Sequence, residues 1–222
     1  MGQMYTLVLL AGGSGSRMKK DIPKQYLLLA GKPVIMHILE RIDRIKEIAG
    51  AVIVCADEYI PLISGMMVQY NITIPVKFAK AGDTRQASVK SGLESVATEH
   101  VILHEAARPF VSENDFVRLM KEPCENAMYG LDIPFTVIKG HEVVEGILDR
   151  SELVNVQLPQ KFNTTILREA HEKAGQEKRM FTEDAGLVHF YYPDIGIKIC
   201  EGMVYNIKLT TSMDLAGLSL AP

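Results

Sequence analysis

Cysteine is scarce in this chain: Cys55, Cys124 and Cys200 are the only three in 222 residues, and none forms a C-x-x-C pair. Neither a zinc site nor a disulfide framework is expected, and three separated thiols fit a reducing compartment. Positive charge is not in excess. A formal charge of -3 removes the general electrostatic drive toward nucleic acid or anionic lipid. Long apolar runs are missing as well: the stretch 4–10 is too short for a signal-peptide core, and nothing approaches spanning length. These absences predict a cytoplasmic protein with neither nucleic-acid nor membrane partners. The histidines His37, His100, His141, His171 and His189 lack metal-ligand spacing, and His104, single at a strand end, reads as a packed residue rather than a base.

What is present is ordinary globular composition, 47% hydrophobic and 23% charged, enough for one domain over 1–222. Met4 to Leu10 is a continuous apolar run stopped by Ala11-Gly12-Gly13, the pattern of a strand buried on both faces. The spacing predicts a helix over 34–48, a strand over 51–55, a helix over 59–70, an extended segment over 75–80, a helix over 85–97 and a strand over 101–104. Helices are then expected over 114–127, 164–174 and 182–191, extended segments over 195–201 and 206–209, and a helical end. Residues 133–156 carry β-branched side chains around Gly140 and Gly146 without core density, and read as a projecting β-arm. Such alternation implies an α/β fold: an open, mostly parallel sheet with helices on both faces, and ligands beyond the carboxyl ends of its strands.

Three post-strand loops therefore carry the chemistry. The first, 11–17, holds small flexible residues followed by Arg17, Lys19, Lys20 and Lys24. Glycines admit backbone N–H groups close to phosphate oxygens, and cations neutralise the charge gathered there. No Gly-Lys-Ser/Thr closes the loop, and Met18 stands where a dinucleotide fingerprint needs glycine, so it is neither a Walker A loop nor a dinucleotide site. The second loop, 82–88, offers Asp83 and Ser88 to a base, or simply caps a helix through Asp83 or Thr84. The third, 104–109, sets Glu105 and Arg108 around Ala106 and Ala107. It makes either a ligand or metal contact or a structural salt bridge.

Five segments in order, LAGGSGSRM with PKQYL, GDTRQASV with SGL, HEAARPFV, LPQKF followed by TEDA, and NIKLTTSMDL, make the chain similar over its whole length to the 2-C-methyl-D-erythritol 4-phosphate cytidylyltransferase family. The related ribitol-5-phosphate cytidylyltransferases share this outline. The resemblance implies a Rossmann-like nucleotidyltransferase fold that moves CMP from CTP to a polyol phosphate. Arg17 and Lys24 would embrace the triphosphate, with Lys208 as a further catalytic cation. Ala11, Gly12, Gly13 and Gly15 would give backbone contacts, Gly82, Asp83 and Ser88 would read cytosine, and Ala107 would lie near the ribose. Glu105 would meet metal and acceptor, while Thr182, Lys208 and Arg150 would hold the acceptor. Arg150 would come from the 133–156 arm of a second subunit in a homodimer, and Mg²⁺ or another divalent cation would ride on the triphosphate. Glu105 stands in place of the family's usual aspartate, Val137 and Leu158 depart from its pattern, and Gly186 replaces a common serine. Those departures gather on the acceptor side and leave ribitol 5-phosphate or another pentitol phosphate as alternative acceptors. A non-catalytic nucleotide-binding homologue, or a sugar-phosphate transferase using UTP or GTP, are the remaining readings.

Overall fold

The structure, a computed structural model, describes residues 2–13 and 22–210. Its centre is β1 (Tyr5–Leu10), whose side chains alternate between two cores because successive residues of a strand face opposite ways. Tyr5, Leu7 and Leu9 pack on one face with Ile35, Ile38 and Leu39 of α1 (Val34–Ile42), Ile63 of α2 (Ile60–Gln69) and Phe116 of α4 (Glu113–Lys121). Val8 packs on the other with Val89 of α3 (Arg85–Glu94), Leu167 of α5 (Thr164–Gln176) and Val188 of α6 (Asp184–Tyr191). Helices thus cover both faces, as the sequence predicts. Truncating a side chain such as Leu7 to Ala removes about 2–5 kcal/mol.

Beside β1 lie β4 (Ile48–Cys55) and β6 (His100–Glu105), both parallel to it, and β5 (Val76–Lys80) is parallel to β4. The sheet continues past β6 with β10 (Val154–Asn163), β7 (Asn126–Asp132) and β11 (Ile197–Glu201), in the order β11-β7-β10-β6-β1-β4-β5. Only β10 runs against its neighbours, antiparallel to both β6 and β7. The chain builds outward from β1 through β4 to β5, then crosses to β6 on the other side. This reversal between β1 and β6 is where open α/β sheets part their loops and admit ligands. Two short pairs stand apart: β2 (Leu28–Leu29) with β3 (Lys32–Pro33), and β8 (Val137–Lys139) with β9 (Gly146–Leu148). The latter pair lies within the arm expected over 133–156, of which residues 154–156 instead open β10 and pair with β7 in the main sheet. It leaves the sheet after β7, which is parallel to β6, so it springs from the same edge as the site loops.

Several boundaries differ from expectation. The helix expected over 34–48 stops at Ile42 because Asp43 Oδ1 accepts from the backbone N–H groups of Thr73 and Ile74, at 3.0 and 2.5 Å, turning the chain away. The helix expected over 114–127 ends at Lys121: Glu122 is extended before Pro123, as residues preceding proline tend to be, and Asn126 opens β7. The helix expected over 182–191 begins at Asp184, with the Glu183 carboxylate capping it. Residues 206–209 pair with no strand and instead follow the loops, as described below. Among the described residues no helix is long and apolar enough to cross a membrane. The expected C-terminal helix falls outside the described residues.

Candidate active site

Strands β1, β5 and β6 each tie the start of the following loop to a neighbouring strand by one further ladder bond. Ala11 N–H donates to Val54 O (2.8 Å), Ala81 N–H to Cys55 O (2.9 Å), and Ala106 N–H to Leu10 O (3.0 Å). Residues 11–13, 81–84 and 106–109 are thereby held side by side at one edge. Gln25, buried on the short 3₁₀ turn Lys24–Tyr26, donates to Ala11 O (2.5 Å) and Gly13 O (3.1 Å) and fastens the first loop to that turn. Lys24, half-buried, is carried on the same turn. Ala11, Gly12, Gly13 and Gln25 share a cavity of about 170 Å³ with Tyr59. A side chain at Gly12 would collide with Ala81 Cβ, so glycine sets how closely the first two loops approach. Gly15 and Arg17 lie outside the described residues.

In the second loop Thr84 is the N-cap of α3, accepting from Ala87 N–H at 3.0 Å. Of the two capping candidates it is Thr84 that serves, which leaves Asp83 exposed at the loop's tip. Ser88 is buried: its hydroxyl donates to Thr84 O (2.9 Å) and accepts from Gly82 N–H (3.1 Å), so it shapes the loop from beneath. A Cβ at Gly82 would sit 2.6 Å from Ala87 Cβ and 3.0 Å from its carbonyl carbon. Gln86 holds residues 179–181 by accepting from Phe181 N–H (2.8 Å) and donating to Arg179 O (3.1 Å), which sets exposed Thr182 beside α3.

Around the third loop four charged side chains meet among the described residues. Glu105, the last residue of β6, meets Lys208 Nζ at 2.9 and 2.8 Å through its two oxygens, Arg108 Nε at 3.4 Å and Arg85 Nε at 3.7 Å. Burial pushes its carboxyl up, but Lys208, then Arg108 and Arg85, outweigh that and hold it below the usual carboxylate range. Lys208 arrives without a strand because side chains guide its segment: Gln157 pairs with both backbone groups of Met203 at 2.9 Å, and Asn206 Nδ2 donates to Leu158 O at 2.6 Å. Arg108 Nη1 donates to Asn206 O (2.9 Å), and Leu209 N–H to Ala107 O (2.8 Å). Ala107 is therefore clamped under the returning chain. His104 is fully buried, its Nε2 is 3.1 Å from Arg108 O, and burial lowers its pKa to about 4. It is a neutral packed ring, as read from the sequence. Arg150 is exposed on the arm, where its Nη1 donates to Pro134 O at 2.5 Å.

The 2-C-methyl-D-erythritol 4-phosphate cytidylyltransferase family model (IspD) matches residues 5–220. The chain belongs to this family. It is 35% identical over 220 residues to the protein of that name from Bacillus mycoides strain KBAB4, covering 96% of this chain and 95% of that one. It is equally 35% identical over 216 residues to the chloroplastic protein of Oryza sativa subsp. japonica, covering 95% and 71%. Among solved structures, the 4-diphosphocytidyl-2C-methyl-D-erythritol synthase of Anaerococcus prevotii DSM 20548 superposes with a TM-score of 0.86 at 25% identity, covering 97% of this chain and 94% of that one.

Glu105 sits among cations rather than among other carboxylates. The resemblance has Glu105 meet a metal, yet its Oε1 accepts from Lys208, its Oε2 lies 2.8 Å from the same ammonium, and two guanidinium groups flank the pair. A carboxylate ringed by three cations is a poor divalent-cation ligand, since such ions need several oxygens free of competing positive charge. Among the described residues no group of three or more His, Cys, Asp or Glu side chains is disposed to hold a metal. Sequence reasoning singled out neither Arg85 nor Asp184 as site residues. Arg85 was detectable as the first residue after a capped loop, but its partner Asp184 is 99 positions away by numbering and came together with it only through the fold.

Proposed function

We propose that this chain transfers CMP from CTP to 2-C-methyl-D-erythritol 4-phosphate with release of pyrophosphate. Family membership supports the reaction, and the single structural observation that carries it is the cationic cluster of Lys208, Arg108 and Arg85 around Glu105, set beside the glycine loop. Three cations against Glu105 and Asp184 leave net positive charge where a phosphate monoester would dock. That monoester oxygen is already an anionic nucleophile at neutral pH, so no general base is required. It attacks the α-phosphorus, the new P–O bond forms as the α–β bridge breaks, and the electron pair leaves on pyrophosphate. The protein's work is in-line positioning and charge stabilisation.

In this reading Arg17 and Lys24 bear on the triphosphate, and Ala11, Gly12, Gly13 and Gly15 line its path. Gly82 and Asp83 offer the loop that reads cytosine, shaped from beneath by Ser88, and Ala107 lies near the ribose. Lys208 and Thr182 serve the acceptor, and Arg150 reaches it from the arm of a second copy. Glu105 acts on the acceptor side by holding cations, and Mg²⁺ is carried on CTP phosphate oxygens. The working form is a cytoplasmic homodimer joined through residues 133–156. The apolar exposure of that arm supports the dimer, and three unbridged cysteines agree with a reducing compartment.

Pyrophosphate release with purified protein, CTP and Mg²⁺ is to be measured against a panel of polyol phosphates. Turnover is expected with methylerythritol phosphate. Turnover with ribitol 5-phosphate alone overturns the acceptor, equal use of UTP overturns the nucleotide, and tight CTP binding without turnover of any acceptor overturns catalysis.

A further inference from the structure

Behind the cluster lies a second, buried pair that the reaction itself does not call for. Asp184, the first residue of α6, and His171, within α5, are each 1% exposed. His171 Nε2 lies 2.9 Å from Asp184 Oδ1, and Arg85 Nη2 lies 2.7 Å from Asp184 Oδ2. The two carboxylate oxygens are thus divided between partners on α5 and α3. Arg85 then turns its Nε toward Glu105, 3.7 Å away, while keeping 24% of its side chain open to solvent.

We propose that Asp184 is a positioning residue for the acceptor side of the site, acting through Arg85, and that His171 sets the rotation of the Asp184 carboxylate. The physical reasons are three. A buried carboxylate is costly to keep unless its partners compensate it, and here one oxygen is held by His171 and the other lies against Arg85, which reaches on to Glu105. Arginine has a long side chain rich in rotamers, and a single close ion contact to a buried carboxylate, Nη2 to Asp184 Oδ2, limits where its guanidinium can lie. His171 holds one oxygen, so only the other is available, and it is aimed at Arg85. The line His171–Asp184–Arg85–Glu105 therefore draws α5, α6, α3 and the end of β6 to a common geometry. Without it Glu105 would be oriented by Lys208 and Arg108 alone, and the Arg85 guanidinium would be free to swing into solvent.

This inference rests on the cytidylyl-transfer reading, so wild-type turnover must be established first: its absence sinks that reading, whereas the variants below sink only the inference. Steady-state kinetics are to be run separately in CTP and methylerythritol phosphate, with melting curves, for Asp184→Asn, Arg85→Gln, the double variant, His171→Ala and His171→Gln. Asp184→Asn and Arg85→Gln should each raise the acceptor KM about tenfold or more while CTP KM stays within about twofold. The double variant should be no worse than the poorer single one, because both remove the same link. Glutamine can offer a donor where Nε2 stood, so His171→Gln should recover most of what His171→Ala loses in acceptor use. Losses that multiply in the double variant, parallel rises in both KM values, or wild-type kinetics in Arg85→Gln each overturn the proposal. Should Asp184→Asn fail to fold, the His171 pair and Arg85→Gln still decide it.

Discussion

Lys208 Nζ lies 2.9 and 2.8 Å from the two carboxylate oxygens of Glu105, across 103 positions of sequence. The contact fastens the returning chain to the end of a central strand, and leaves Lys208 partly exposed toward any incoming phosphate. Replacing Glu105 by Gln strips the anion from three cations, two of them largely buried, and should destabilise the protein by about 3 kcal/mol at neutral pH. Its folded pKa is held below 4.5, so this contribution is full above the unfolded value and is lost as pH falls through the folded one. Denaturant unfolding of both proteins from pH 7 to pH 3 should show the gap closing only at the acid end. A constant gap would contradict the charge assignment.

His104 is held neutral, with a folded pKa of about 4 against 6.5 unfolded. The unfolded chain binds more protons between those values, so stability should decline from pH 6.5 to pH 4 by up to about 3 kcal/mol on this account. Proton NMR should find the His104 ring untitrated at pH 5.5, and a midpoint near 6.5 would contradict its burial.

Lys24 sits on the turn that Gln25 pins to the glycine loop. If it meets charge that grows at the α-phosphorus, Lys24→Ala should lower kcat about 10²–10³-fold with a much smaller change in CTP KM. A loss confined to KM would assign it to ground-state binding alone.

A methyl group at Gly82 meets Ala87 at 2.6 Å and the backbone behind it at 3.0 Å. Gly82→Ala should displace the second loop, cost about 1–3 kcal/mol of stability and weaken CTP binding at least fivefold by calorimetry. Unchanged affinity would remove this loop from the nucleotide site.

The arm exposes Phe135 and Ile147 at 76% each. Ile147→Asp should convert a dimer to a monomer in sedimentation experiments, and Arg150→Ala should raise acceptor KM without altering CTP affinity. A wild-type protein that sediments as a monomer would end the arm proposal.

The parallel half of the sheet was readable because β1 and β4 are nearly unbroken apolar runs and β6 carries the apolar Val101, Ile102 and Leu103, with small residues following β1 and β6 at the site edge. Strands β7 and β10 were not. The former carries Asn126 and Gly130, and the latter carries Gln157, Pro159, Gln160 and Lys161 with a register shift at 157–160, so neither shows the density or alternation of a core strand. Their polar side chains are buried because they have fixed partners: Gln157 on Met203, and Lys161 on Glu122 O at 2.6 Å. The loops were legible as sites for the same reason that β1 was, since glycine and charge interrupt an apolar pattern. The Arg85–Asp184 contact was hidden because nothing local in 82–88 announces a partner in 182–186.

The last sheet strand closes at Glu201, yet Lys208 still has to be laid across the loops. Scaffold and charge are thus written into successive stretches of chain, and a neutral replacement at Lys208 would alter the second while leaving every ladder bond of the first in place.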